Sequence, residues 1–277
     1  MQLGGDDIDV IRDFHATSAR LYALFMASPS GALESFWHRT WYVDNVVALE
    51  SLRMHDAWYG THYAPAVARF AAKLRAHLDG NSGMPASEIS LDDTRTLDGP
   101  RGCALSWTLA FLPALDAELA RTLYARYRRD WSVDVGGLIG FREYPTSRRG
   151  HADVDSGPIV HGIGGAASAF GVAAARANDD GDTFARMLTA LAVTSMPATT
   201  LHGDEELFAG QLVLADAIAI WARTVTPWDH PRSPPWSPPP LFPASLAVTA
   251  LLLPVVISGW LFARALRRLT ERRRVPA

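Results

Sequence analysis

Near its C-terminus the chain carries a run that can only be hidden from water. From Leu241 to Ala263 no residue is charged, and Leu, Val, Ile, Ala, Phe and Trp dominate. A helix of that length crosses a hydrocarbon core of roughly 30 Å. Arg264, Arg267, Arg268, Arg272, Arg273 and Arg274 follow at once, and an arginine cluster on one flank marks that flank as cytoplasmic. The sequence therefore predicts one transmembrane helix over 241–263 and a basic cytoplasmic tail over 264–277. Everything before them is expected outside, as the body of a single-pass protein of the cell membrane. Prolines at 227, 231, 234, 235, 238, 239 and 240 make 227–240 a semi-rigid stalk. That leaves 1–226 as the folded domain, long enough for one good core.

Charge narrows the partners. The chain holds 26 Lys and Arg against 29 Asp and Glu. With the six tail arginines and Glu271 set aside, 20 basic and 28 acidic residues remain, a balance near −8. Such a body lacks the basic face that phosphate backbones require, so no nucleic-acid partner is expected. Cys103 is the only cysteine, which rules out an internal disulfide and a multi-cysteine zinc site. The N-terminus, MQLGGDDIDVIRDF, has neither a basic nor an apolar leader region, so it does not read as a signal peptide.

Helical periodicity dominates the body. Helices are expected over Ile8–Ala27, from Asp44 or Asn45 to Tyr59, over Ala64–Leu78, Arg101–Leu112, Asp116–Asp130, Gly157–Asn178, Asp182–Met196 and Gly203–Val225. A loop with a small hairpin around Ile89 and Leu91 fills 79–100, and 131–155 reads as irregular. Helices rich in small residues start near Asp44, Arg101, Ser156 and Asp204, at spacings of 57, 55 and 48 residues. Arginine-bearing amphipathic helices alternate with them. Helices without a polar face must be inner and the others outer, which predicts an array of helical hairpins. The expected fold is thus all-α, an α/α toroid-like array plus the transmembrane helix.

Four loops resemble the inter-helix loops of (α/α) toroid enzymes: Trp41-Tyr42-Val43-Asp44-Asn45, Arg101-Gly102-Cys103-Ala104, Phe141-Arg142-Glu143-Tyr144-Pro145 and Asp153-Val154-Asp155-Ser156-Gly157-Pro158. The likeness spans 41–225 and is nearest to the linalool dehydratase/isomerase-like proteins. It implies a central funnel as the active site. Such toroids have six hairpins and this chain shows about four, so an N-terminal portion upstream of Met1 is expected.

Chemistry concentrates between Gly140 and Gly165. Asp44, Glu143, Asp153 and Asp155 are the expected catalytic carboxylates, because paired carboxylates in unlike surroundings serve as general acid and base. Asp44, Asp155 and Ser156 also suit helix capping, with Pro158 in the first turn of the helix. Trp41, Tyr42, Arg101, Cys103 and His161 are the expected substrate-binding residues, and Trp107 and Trp131 are further candidates for an aromatic wall. Cys103 sits at a helix N-terminus beside an arginine, a setting that lowers a thiol pKa, although a small buried hydrophobe is its commoner role. The spacing of His151, Asp153, Asp155 and His161 matches no zinc signature, so no metal is assigned, and no cofactor is expected. Gly162-Ile163-Gly164-Gly165-Ala166-Ala167 imitates a dinucleotide fingerprint without the strand and the βαβ unit that it needs. It is read instead as small residues lining a helix face. The function expected is a membrane-anchored lyase, hydratase/isomerase or glycosidase acting on a small hydroxylated or carbohydrate-like substrate. The alternative is a catalytically silent binding or scaffold protein of the envelope.

Overall fold

The computed structural model describes residues 8–93, 95–194, 198–199, 205–206 and 213–225. The chain runs α1 (Ile8–Ala27), β1 (Thr40–Trp41), α2 (Tyr42–Tyr59), α3 (Ala64–Ala76), β2 (Glu88–Ile89) and β3 (Thr96–Asp98). It continues with α4 (Gly102–Leu115), α5 (Ala117–Trp131), β4 (Ser132–Val135), β5 (Leu138–Phe141), β6 (Ile159–Val160) and β7 (Ile163–Gly164). It closes with α6 (Gly165–Ala177), α7 (Gly181–Thr194), β8 (Ala198–Thr199), β9 (Glu205–Glu206) and α8 (Val213–Thr224).

Local chemistry accounts for several helix ends. Gly60 stops α2 in the left-handed region (φ 66°), its N–H returning to Asp56 O at 2.9 Å. Asp116 starts α5 by accepting from Leu119 N at 3.0 Å, and Arg128 and Arg129 sit in its last turn, where cations suit the helix dipole. At the start of α2 the capping expectation is corrected. Trp41 is the cap position without a side-chain bond, and Asp44 lies inside the first turn, exposed. Its neighbour Asn45 is buried and ties the incoming chain, accepting from Leu33 N at 2.7 Å and donating to Leu33 O and Trp41 O.

Helices α2, α4, α6 and α8 pack in succession, and the closest of these contacts is α4 on α6. Small residues allow it. A Cβ on Gly102 would come within 1.9 Å of Arg142 O and 2.8 Å of Ala167 Cβ, and one on Gly171 within 2.5 Å of the Phe141 ring. Ser106 crosslinks the layer, donating to Ala167 O at 2.6 Å and meeting the Tyr127 hydroxyl at 2.7 Å. One continuous apolar core runs from Phe25 and Val46 through Leu109 and Leu123 to Ala173 and Ala222.

The all-α expectation is overturned. Among the described residues eight helices are joined by small antiparallel sheets: β1–β2–β3, β4–β5, β6–β7 and β8–β9. Two of these hairpins turn on two residues that both hold positive φ, the backbone that matches strand twist. They are Gly136 (59°) with Gly137 (92°), and His161 (51°) with Gly162 (84°). The hairpin at 159–164 consumes the expected start of the Gly157–Asn178 helix, so α6 begins at Gly165. Gly162 serves the turn, not a helix face, and Pro158 and Ser156 precede a strand. Among the described residues α8 shows no packing of comparable extent against α1 or α2.

The membrane placement is corrected as well. Among the described residues no helix is long and apolar enough to cross a membrane. The stalk (227–240), the apolar run (241–263) and the basic tail (264–277) lie outside the described residues, as do 203–204 and 207–212 of the last expected helix, of which 205–206 form β9 instead.

Candidate functional site

The first turn of α4 leaves backbone N–H groups without helical partners. Arg101, in the cap position, supplies no side-chain acceptor. Glu143, from the end of β5, fills that place. Its carbonyl accepts from Gly102 N at 2.7 Å, and its carboxylate Oε2 accepts from Cys103 N at 3.1 Å. The other oxygen, Oε1, accepts from Arg101 Nε at 2.9 Å and from the Cys103 thiol at 3.1 Å. Arg101 then reaches out with Nη2 to Asp153 at 2.8–2.9 Å. Glu143 is fully buried, the Arg101 side chain is 12% exposed and that of Asp153 44% exposed. A chain of alternating charge therefore leads from the helix end to the surface, joining α4 to the loop between β5 and β6.

The electrostatics follow from this arrangement. The Arg101 guanidinium, joined by the backbone N–H of Ser156, holds the Asp153 carboxyl down at about 2. Burial pushes the Cys103 thiol up, and the adjacent Glu143 carboxylate adds to the rise. The lowering expected from the helix N-terminus and Arg101 is outweighed, so Cys103 is a buried thiol and not an activated nucleophile. Burial opposes the charge on Arg101, but the Asp153 and Glu143 carboxylates outweigh it and keep the guanidinium protonated. The Tyr144 ring lies between Arg101 and Arg148, whose guanidinium carbons are 5.6 and 5.0 Å from its centre.

Of the residues singled out by sequence, Arg101, Cys103, Glu143 and Asp153 thus meet at one corner. Asp155 is exposed beside them, its N–H donating to Asp153 Oδ1 at 3.1 Å. His161 is exposed at the turn of the hairpin whose Gly162 O accepts from Glu143 N. Asp44, Trp41 and Tyr42 belong to β1 and the start of α2, and no hydrogen bond joins them to that corner among the described residues. Trp41 is half-buried under the Arg39 guanidinium. Tyr42 and Trp131 are core residues at 1% exposure and form no binding wall.

Trp107 behaves differently. Its ring meets Phe111 of its own helix, Phe170 of α6 and Trp221 of α8 at centroid distances of 5.6, 4.4 and 5.2 Å, and Phe111 stacks on Trp221 at 5.5 Å. All four rings are half-buried. The partners of Trp107 come from three helices far apart in sequence, and only Phe111, four residues on along α4, was detectable by helical spacing. Among the described residues no group of three or more His, Cys, Asp and Glu side chains is placed to hold a metal ion. No protein-family model matches the chain, and no curated protein matches it.

Proposed function

We propose that this protein binds a small hydroxylated molecule of the carbohydrate or terpenoid-alcohol kind on the aromatic face of α4, α6 and α8. One observation carries the reading: Trp107, Phe111, Phe170 and Trp221 are gathered from three alternate helices yet stay partly open to solvent. The C–H faces of such a ligand, placed on these rings, gain about 25 cal/mol for each Å² of apolar surface they bury. The likeness of the short loops to linalool dehydratase/isomerase-like proteins supports the same ligand class. The test is a tryptophan-fluorescence titration with a panel of saccharides and cyclic or linear terpenoid alcohols. A saturable change with one class is expected, weakened at least tenfold in Trp107→Ala. No saturable change across the panel, or one that Trp107→Ala leaves intact, would overturn the proposal.

A second reading keeps the ligand class and adds chemistry of the lyase, hydratase/isomerase or glycosidase type. It is favoured by the buried Glu143 carboxylate, which holds a thiol and a guanidinium on one oxygen. Product analysis after incubation with the same panel separates the two. Turnover lost in Glu143→Gln supports the enzyme, and binding without turnover supports the binding protein.

A further inference from the structure

We propose that Asp56, Thr61, His55 and His15 form a directed hydrogen-bond relay whose open end, His15 Nε2, is a base for an aromatic hydroxyl compound of the phenol class. The direction follows from donor counting. Thr61 donates its only hydroxyl proton to Asp56 Oδ1 at 2.6 Å, because a carboxylate only accepts. The Thr61 oxygen, 2.8 Å from His55 Nδ1, must then accept from that nitrogen. His55, carrying its proton on Nδ1, presents a lone pair at Nε2. His15 Nδ1 lies 2.8 Å from it and must be the donor. The lone pair of the pair as a whole is thereby transferred to His15 Nε2, which has no hydrogen-bond partner among the described residues.

The surroundings keep this polarity. Asp56 is pinned by the backbone N–H groups of Tyr63 and Ala64 at 2.8–3.0 Å as well as by Thr61. Burial works against its charge, but these donors outweigh it and hold the carboxyl below the usual range. His55 is 1% exposed, and burial with the neighbouring His15 pushes its pKa down, so it stays neutral with a single ring proton. The groups facing the two imidazoles are aromatic: Phe14 of α1, Tyr59 of α2, and Tyr63 at the entry to α3. The nearest charged group in the relay is Asp56 itself, with His62 beside it.

The ligand class comes from what surrounds the open end. Tyr59 presents an edge-on contact to His15 at 4.4 Å, and Phe14 lies 6.4 Å from Trp58. Tyr59, against His15, is 43% exposed, and Trp58, which joins the cluster through Phe14, is 62% exposed, so apolar ring surface is open to solvent around the pair of imidazoles. A phenol matches both, its ring on the aromatic faces and its hydroxyl on Nε2. In the proton transfer the ligand O–H bond breaks and an N–H bond forms at His15 Nε2. The ligand is held as phenolate beside His15, now an imidazolium that donates through Nδ1 toward His55, Thr61 and Asp56. No further reactant is needed.

Two measurements test this on the full chain. Long-range 15N–1H correlation of the histidine rings should find both His15 and His55 protonated on Nδ1, the less common neutral tautomer. In the ligand-free protein, at a pH where both rings are neutral, an Nε2 proton on either ring would overturn the relay, and this reading needs no variant. The second probe is p-nitrophenol, held at a pH below its own pKa. Binding should produce the phenolate absorbance, reduced at least tenfold in both His15→Ala and Thr61→Val. No phenolate signal, or a signal unchanged in both variants, would overturn the base assignment. Because the aromatic face of α4, α6 and α8 is not involved, either result leaves the proposed ligand site to its own test.

Discussion

At the scale of single residues, Glu143 carries the heaviest duty. It is fully buried, caps α4 and neutralises Arg101. Glu143→Ala removes the buried carboxylate from the Arg101 guanidinium and leaves the Cys103 N–H and thiol without their acceptor, and removing one partner of such a pair costs about 3–5 kcal/mol. Urea unfolding should show that loss. Asp153→Asn, at the half-exposed end of the same chain of charges, should cost about 1 kcal/mol or less. The pH dependence has a definite sign. The Asp153 carboxyl lies near 2 in the folded protein, below its unfolded value of about 3.9. Its contribution to stability is therefore complete above about pH 5 and disappears as pH falls toward 2. Asp153→Asn should flatten that part of a stability–pH curve. Cys103 gives a simpler expectation. Its thiol is 8% exposed and pushed up by burial, so a thiol reagent at neutral pH should label the native protein far more slowly than the urea-unfolded chain. Equal rates would contradict the buried thiol.

At the scale of elements, the close approach of α4 and α6 depends on what its glycines lack. Gly102→Ala would drive a methyl group into the Arg142 carbonyl, a backbone atom that cannot swing aside. Overpacking of this kind costs about 1–3 kcal/mol or more. A melt of Gly102→Ala should fall clearly below the wild type, and an unchanged melt would show that α4 and the Arg142 strand separate easily. Gly137 and Gly162 carry the other special duty, positive φ at hairpin turns. The helices were legible because their apolar positions recur every three or four residues: Ile8–Ala27 agrees at both ends, and Ala64 and Asp116 mark true starts. The hairpins were less legible. Val133, Val135, Ile139 and Phe141 flank Gly136-Gly137 in a readable strand–turn–strand pattern, but the same small residues also suit an irregular loop. His161-Gly162 was harder still, since a histidine seldom takes left-handed backbone. There the sheet bond of β6 to β7 and the Glu143 N to Gly162 O contact decide the conformation.

At the scale of the molecule, residues far apart in sequence meet because α2, α4, α6 and α8 pack in order. The candidate site shows what this adds. That Arg101, Cys103, Glu143 and Asp153 matter to one corner was readable from two short loops rich in polar groups beside apolar helices. That Glu143, forty residues on in sequence, serves the start of α4, and that Asp44 makes no hydrogen bond to that corner among the described residues, was not readable, because capping by a remote residue leaves no mark in local spacing. The four-ring face and the His15–His55 contact were invisible for the same reason: their members are ordinary aromatic and histidine residues until packing joins them.

The amino-acid sequence by itself determined that the body is mostly helical, that no disulfide forms within the chain, and that the body carries more acidic than basic residues. These properties are local or additive, so they survive without knowledge of neighbours. Only the tertiary structure decided which carboxylates are tied down, which thiol is raised by burial, which rings gather and which imidazole nitrogen is left open. Those properties are set by distance and by the exclusion of water, and neither exists until distant segments come together.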